Sequence, residues 1–454
     1  MAPKGMPGGC LTDKHMDLLK SIFKGDKVIW IIFLFLCLIS IVEVFSAAST
    51  LTYKSGDHWA PITQHTILLA VGVCIVVLMH NIPYKWFQVF PVFLLPLSVV
   101  MLAFVMFMGF FGDGRVNGAA RWMTVMGVQF QPSEIAKMAM VIVTAFILSK
   151  GQTEEGASPK AFKRIMIIAV IVCGLILPEN YSTGVLLFVT VYLMMFIGMV
   201  SLKKLLLLGG TLVAAAALFV FFLKVTPDST LEKIPMGHRF TTVKGRIASF
   251  TDNEQVPAAK FDIDGDAQVA HARIAVASSN VIGKGPGNSV QRDFLSQAFS
   301  DFIFAIIIEE LGLLPAAFVV MLYLWLLIRV GRIAKKCGRT FPALLIIGIA
   351  LLLVIQALFN MMVAVGLAPV TGQPLPLISK GGTSTFINCA YIGMILSVSR
   401  YTARLEEEKK AAAQAALSLQ TGQTPEALHL PQGSQAQTAA EPTSRILNSD
   451  SELE

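Results

Sequence analysis

The sequence predicts an all-α polytopic membrane protein with about ten transmembrane helices, and three observations carry that expectation. Hydrophobic residues fill 55% of the 454 positions and charged residues only 14%, against roughly 25% charged in a soluble domain. Mean hydropathy is +0.68. The apolar residues fall in runs of the length that crosses a bilayer, about 17–25 residues, near 28–49, 63–82, 86–111, 134–149, 165–177, 184–200, 203–223, 301–328, 341–366 and 383–399. A soluble fold is excluded. The net charge of +7 reports loop orientation in a membrane protein and lends little support to nucleic-acid binding.

Residues 1–27 are mostly polar, and no A-x-A-like site closes a short apolar core, so a retained cytoplasmic segment is expected instead of a removable signal peptide. The third run holds Pro91 and Pro96, which would kink it unless neighbours satisfy the freed carbonyls. The fourth opens on Pro132-Ser133-Glu134, a helix start that places Glu134 and Lys137 on one face, three residues apart. The eighth has Asp301 at its mouth. Glu309 and Glu310 follow eight and nine residues later, about 12–14 Å deeper at 1.5 Å per residue, where they need a basic partner or a proton. Past Arg404 the chain turns rich in Ala, Gln, Ser, Thr and Pro, the composition of a disordered tail.

Ten spans put both termini on one side. The Lys and Arg of 1–27, 150–164, 203–204 and 329–339 outweigh Lys54, Arg115, Arg121 and Lys380 in the short loops opposite, so the termini are expected in the cytoplasm. The stretch 224–300 then forms a long extracytoplasmic loop. The domain organisation follows: a cytoplasmic segment over 1–27, a membrane domain over 28–404 and a tail over 405–454. Cysteines 10, 37, 74, 173, 337 and 389 form no C-x-x-C pair and suggest neither metal cage nor disulfide framework.

Polar residues that break the apolar pattern collect in three segments on the outer side: Gly112–Lys137, Gly283–Gly312 and Asn360–Ser384. The glycines of GKGPG lack the G-K-[ST] of a P-loop. DIDGDAQ, at 262–268, has its Gly at the fourth position and Arg273 at the twelfth, so it reads as a polar turn and not as a calcium loop. Arg121, Lys137 and Lys380 offer three cations around the carboxylate of Asp301 at one membrane face, an arrangement suited to a phosphate ester with an acid or base beside it.

QPSEIAK, SVQRDFLSQAFSDFIFAIIIEELG and PVTGQPLPLISKGGTS resemble, in order and spacing, the three signature regions of the SEDS family of shape, elongation, division and sporulation proteins, the family of FtsW and RodA. The resemblance covers about residues 27–404, and GNSVQ is more similar to the division branch than to the elongation branch. It implies a peptidoglycan glycosyltransferase that polymerises lipid II at the outer face of the bacterial cytoplasmic (inner) membrane, at the division septum. The partners implied are a class B penicillin-binding protein as transpeptidase and other divisome membrane proteins.

The family's essential aspartate falls on Asp301, as general base for the acceptor sugar hydroxyl. Its basic positions fall on Arg121 and Lys137, which would neutralise the departing undecaprenyl pyrophosphate, with Glu134 orienting Lys137. Gln131, Gln291, Lys380 and Ser384 lie in the same signature stretches as candidate substrate-binding residues. A divalent cation, Mg or Mn, could assist, with Asp301 a candidate ligand; no other cofactor is implied. Three departures limit the carry-over: Ser296-Gln297-Ala298-Phe299-Ser300-Asp301 stands where P-E-A-H-T-D is common, Lys380 replaces the Tyr of I-S-Y-G-G, and Asn180 lies near a frequent Asp. The rival readings are an elongation-type polymerase, a lipid-linked precursor flippase or other transporter, and a non-catalytic scaffold.

Overall fold

The computed structural model describes residues 24–47, 60–111, 123–125, 128–178, 180–231, 237–251, 266–295 and 298–421. Two compact units divide the chain, Met1–Leu405 and Glu406–Glu454; the first contains the helical bundle. Its long helices are α1 (Lys27–Ala47), α2 (Ala60–Asn81), α3 (Phe90–Phe111), α4 (Pro132–Lys150), α5 (Pro159–Ile176), α6 (Tyr181–Ile197) and α7 (Leu202–Val225). Short helices α8 (Asp228–Leu231), α9 (Gly237–Thr251), α10 (Asp266–Ala277) and α11 (Ile303–Leu311) follow, then α12 (Leu313–Lys336), α13 (Thr340–Ala364) and α14 (Thr383–Thr421). α1 to α4, α7, α12 and α13 are each long and apolar enough to cross a membrane. The chain is an all-α, multi-pass membrane protein.

Local chemistry sets where the helices start. Pro132 occupies the first turn of α4, with Glu134 near its positive end and Lys150 near its negative end. Ser158 caps α5 by accepting from the Ala161 N–H, and Asn180 caps α6 by accepting from the Thr183 N–H. Pro96 lies inside α3 without ending it. A hairpin, β1 (Met123–Val125) against β2 (Val128–Phe130), leads into α4, and a second, β3 (Gln152–Thr153) against β4 (Gly156–Ala157), leaves it.

α4 and α13 form the buried axis: α4 packs on α3, α5, α6 and α13, and α13 on α6 and α12. Small residues allow this, for lipid supplies no hydrophobic drive between helices and close van der Waals packing must. A Cβ on Gly348 of α13 would lie 2.6 Å from the Met194 sulfur and 3.0 Å from Val141. α7 lies at the rim, touching α6 and α9, and exposes Leu206, Leu207, Val213, Leu218 and Phe221. Contacts bring helix ends together: Phe146 near the end of α4 meets Phe341 at the start of α13, and Ala157 before α5 bonds Met199 after α6. One end of the bundle gathers Lys150, Lys160, Lys163, Lys203, Lys335 and Lys336; the other gathers the N-termini of α2, α4, α6, α12 and α14 and carries the polar segments.

The structure corrects three expectations. The apolar run 301–328 is not one span: α11 ends after nine residues at Gly312, whose φ of 96° is open to glycine, and α12 begins there. A Cβ on Gly312 would lie 2.5 Å from the Gly283 nitrogen and the Val281 oxygen. Glu309 and Glu310 are therefore not sunk toward the bilayer centre. Glu310 accepts from the Ser46 hydroxyl, which stands at the polar-segment end of α1. The stretch 224–300 contains α8, α9, α10 and a 3₁₀ turn over Gln291–Phe294. Residues 405–421 continue α14 as helix instead of belonging to a disordered tail.

Candidate active site

The chain between α13 and α14 folds back into the bundle as a strap, with Gln373, Leu375, Leu377, Ile378 and Ser379 all buried. Buried backbone needs partners, and here side chains from three helices supply them. From α13, Asn360 donates to the Gln373 carbonyl at 2.8 Å and Gln356 to the Pro374 carbonyl at 3.0 Å. Tyr323 of α12 donates to the Pro376 carbonyl, and Ser40 of α1 to the Ile378 carbonyl at 2.6 Å. Leu377 has a φ of 67°, a left-handed conformation that costs a branched residue about 1–2 kcal/mol and persists only where the surroundings over-determine it.

This strap joins Lys137 to Asp301. The Lys137 ammonium lies 2.8 Å from Glu134 and donates to Gln356 at 2.9 Å; all three residues are buried. Gln356 holds Pro374, and the adjacent Gln373 is held by Asn360, whose amide also donates to the Asp301 carbonyl at 2.8 Å. Both amide hydrogens of Asn360 are thus used. Ser379 donates to the Ser300 carbonyl at 2.6 Å and the Lys380 N–H to the Phe299 carbonyl at 3.0 Å, fixing the residues before Asp301. The Asp301 side chain is half-buried and accepts from Ser300 at 3.1 Å. Gln373 donates in turn to Thr183 at the start of α6, at 2.8 Å.

Lys380 is half-buried with its ammonium 5.8 Å from the centre of the Phe299 ring. Among the described residues it makes no ion pair, and burial pulls its pKa below the ordinary lysine value. Beside the strap an apolar cleft of about 190 Å³ is lined by Tyr181, Ser182, Val185, Leu186, Phe359, Thr371 and Gln373. Gln131 and Asn180 meet on a second, smaller crevice between α4 and the start of α6. Ser384 is buried and donates back to the Gly381 carbonyl at 2.9 Å. Arg121 lies outside the described residues.

Gln291 is the candidate that goes elsewhere. Its side chain contacts His271 of α10 at 2.7 Å and its N–H points to Glu309 at 3.4 Å. The role of Glu309 and Glu310 is then plain, for they hold the GKGPGNSVQ segment. Lys284 lies 2.6 Å from Glu309, which also accepts from the Ser289 hydroxyl and the Val290 N–H. Burial alone would raise the Glu309 carboxyl; these partners outweigh it and keep it below the usual carboxylate range. Glu310 accepts from the Gly287 and Ser289 N–H groups at 3.0 and 3.2 Å, with Arg292 3.6 Å away.

Of the glycines of this segment, Gly283 serves close approach to the end of α11, while Gly285 and Gly287 take positive φ of 91° and 84°. A Cβ on Gly283 would fall 2.2 Å from the Glu310 carbonyl oxygen, a backbone atom that cannot turn aside. Gly283→Ala is therefore expected to destabilise the purified protein by about 1–3 kcal/mol, read as a lower thermal midpoint in detergent. An unchanged midpoint would show that the clamp yields.

Sequence reasoning missed Ser40, Tyr323, Gln356, Asn360 and Gln373. For all but Gln373, which stands in the Pro- and Gly-rich segment, the signal was a single polar residue inside an otherwise apolar run, which is costly in a membrane unless bonded.

With this geometry in view, a family model described as a cell cycle protein, that of FtsW, RodA and SpoVE, matches residues 26–404. The chain belongs to that family. Among curated relatives, each named probable peptidoglycan glycosyltransferase FtsW, one from Halomonas elongata is 32% identical over 386 residues, 83% of this chain and 91% of the relative. One from Trichlorobacter lovleyi is 30% identical over 389 residues, 85% and 96% of the two chains. Of solved structures, a chain from a peptidoglycan synthase complex superposes with a TM-score of 0.64 at 21% identity, over 84% of this chain and 99% of its own. The rod shape determining protein RodA of Thermus thermophilus gives 0.57 at 20% identity, over 83% and 97%. At those identities the two structures speak for the FtsW/RodA fold.

Proposed function

We propose that this protein is a peptidoglycan glycosyltransferase that polymerises lipid II into glycan strands at the outer face of the bacterial inner membrane, in septal wall synthesis. One observation carries the reading. Asp301, Lys137 and Lys380 are tied to one strap at one end of the bundle, opposite the basic end that the positive-inside rule assigns to the cytoplasm. The names of the curated relatives support the same reaction.

In the reaction Asp301 accepts the proton of the acceptor sugar hydroxyl while that oxygen attacks the anomeric carbon of the donor. The bond to undecaprenyl pyrophosphate breaks, and the electron pair leaves with the pyrophosphate. Lys380 and Arg121 meet that growing negative charge. Lys137, buried and paired, holds the strap in register through Gln356 and acts on the substrate through its field. The cleft beside Tyr181 suits an isoprenoid chain. A divalent cation finds few protein ligands here: among the described residues no three His, Cys, Asp or Glu converge. It would take Asp301 and, as Mg²⁺ commonly does, the substrate's phosphate oxygens, and would neutralise leaving-group charge. The partners are a class B penicillin-binding protein and other divisome membrane proteins.

The test is conversion of purified lipid II to glycan polymer by the full-length protein reconstituted with its transpeptidase. Absence of polymer, or polymer unaffected by loss of Asp301, overturns the reading. Lys380 adds a pH signature. Because burial lowers its pKa, its charge is lost as pH rises through a value below the usual lysine range, and the rate at subsaturating donor should fall with it. Lys380→Arg, charged throughout, should move that limb to higher pH. Lys380→Met should cost about tenfold at neutral pH; identical profiles in all three proteins would remove Lys380 from the site.

A further inference from the structure

His65 of α2 has no part in the chemistry above, yet it is buried at 2% exposure behind the strap. Its Nε2 lies 2.8 Å from the Ser40 hydroxyl oxygen. Ser40 has one hydroxyl hydrogen, and that hydrogen goes to the Ile378 carbonyl at 2.6 Å. The imidazole must therefore donate to Ser40 from Nε2–H, which fixes its tautomer and leaves Nδ1 as an acceptor. Among the described residues Nδ1 has no hydrogen-bond partner. A donor chain of this kind polarises the hydroxyl and strengthens its bond to the carbonyl.

The carbonyl so held lies at the strained point of the strap. Leu377 has a φ of 67° on one side, and on the other Lys380 is two residues away. Ile378 and Ser379 give their N–H groups to the Leu375 carbonyl, and Lys380 gives its own to Phe299. Release of the Ile378 carbonyl would free the turn that aims Lys380 and, through Phe299 and Ser300, steadies Asp301.

We infer that His65 is a positioning residue for the glycosyl transfer: acting through Ser40, it holds the 376–380 turn so that Lys380 faces the pyrophosphate of the lipid-linked donor. The inference rests on the glycosyltransferase reading. It is distinct from a packing role because the donated hydrogen, not the ring volume, does the work.

The experiment compares His65→Ala, His65→Gln, Ser40→Ala and the His65→Ala/Ser40→Ala pair in the full-length protein, by lipid II polymerisation with the transpeptidase present and by amide exchange over 376–381. Each alanine variant should lower kcat/KM for the donor by about tenfold, the scale of one hydrogen bond. The double variant should lose no more than the worse single, since both break one chain. His65→Gln, whose amide can donate to Ser40, should recover to within about twofold. Exchange at Ile378, Ser379 and Lys380 should rise in His65→Ala and not in His65→Gln. Additive losses, or unchanged exchange in His65→Ala, would overturn the assignment. A wild-type protein that makes no polymer would remove the glycosyltransferase reading alone, because the exchange data still decide whether His65 holds the turn.

Discussion

Asp301→Asn is expected to abolish glycan polymer while the protein keeps its fold. The carbonyl of residue 301, not its carboxylate, anchors the segment to Asn360, so the amide preserves that bond. Loss of a general base removes about 10²–10⁴ in rate. The check is a lipid II polymerisation assay beside a thermal melt of the same preparation. Wild-type polymer from Asp301→Asn would place the proton elsewhere; a collapsed melt would make Asp301 structural.

The second large effect concerns Lys137. Lys137→Met strands the Glu134 carboxylate in a buried site, and breaking one side of a buried ion pair costs about 3–5 kcal/mol. A sharp fall in thermal midpoint is expected. Glu134→Gln/Lys137→Met removes both charges and should regain most of that stability, since nothing charged is then left unpaired. Its rate should stay low, because Gln356 has lost the ammonium that orients it toward Pro374. Recovery of rate together with stability would mean that Lys137 is needed only to neutralise Glu134.

Much of the architecture was legible because the bilayer imposes a length on apolar runs, and every long helix of the bundle begins near one of those runs except α12. There the run IFAIIIEELGLLPAAF stays apolar across the break. The usable signal was Gly312 with Pro315 three residues on, an end mark followed by a start mark. The helical stretch past 405 was misread for a different reason. EEEKKAAAQAALSLQ has strong helix formers throughout, and its shortage of large apolar residues beyond Leu417 and Leu419 argued against burial, not against helix.

At the site, the Glu134 and Lys137 pair was readable from i,i+3 spacing, and Asp301 from a carboxylate heading an apolar segment. The strap was not. Gln356 lies 219 residues from Lys137, and Ser40 lies 338 residues from Ile378. No local period encodes contacts at such separation. Glu309 and Glu310 misled because depth was reckoned along a helix assumed continuous.

The side-chain donors that hold the strap also set an order of assembly. Ser40, Tyr323, Gln356 and Asn360 reside on α1, α12 and α13, and the local bonds of Leu375 with Ile378 and Ser379 leave the carbonyls those side chains hold to be satisfied from elsewhere. The turn can close only once the first, eighth and ninth long helices stand side by side. The strap therefore takes its full set of partners only after helices from both ends of the sequence have met.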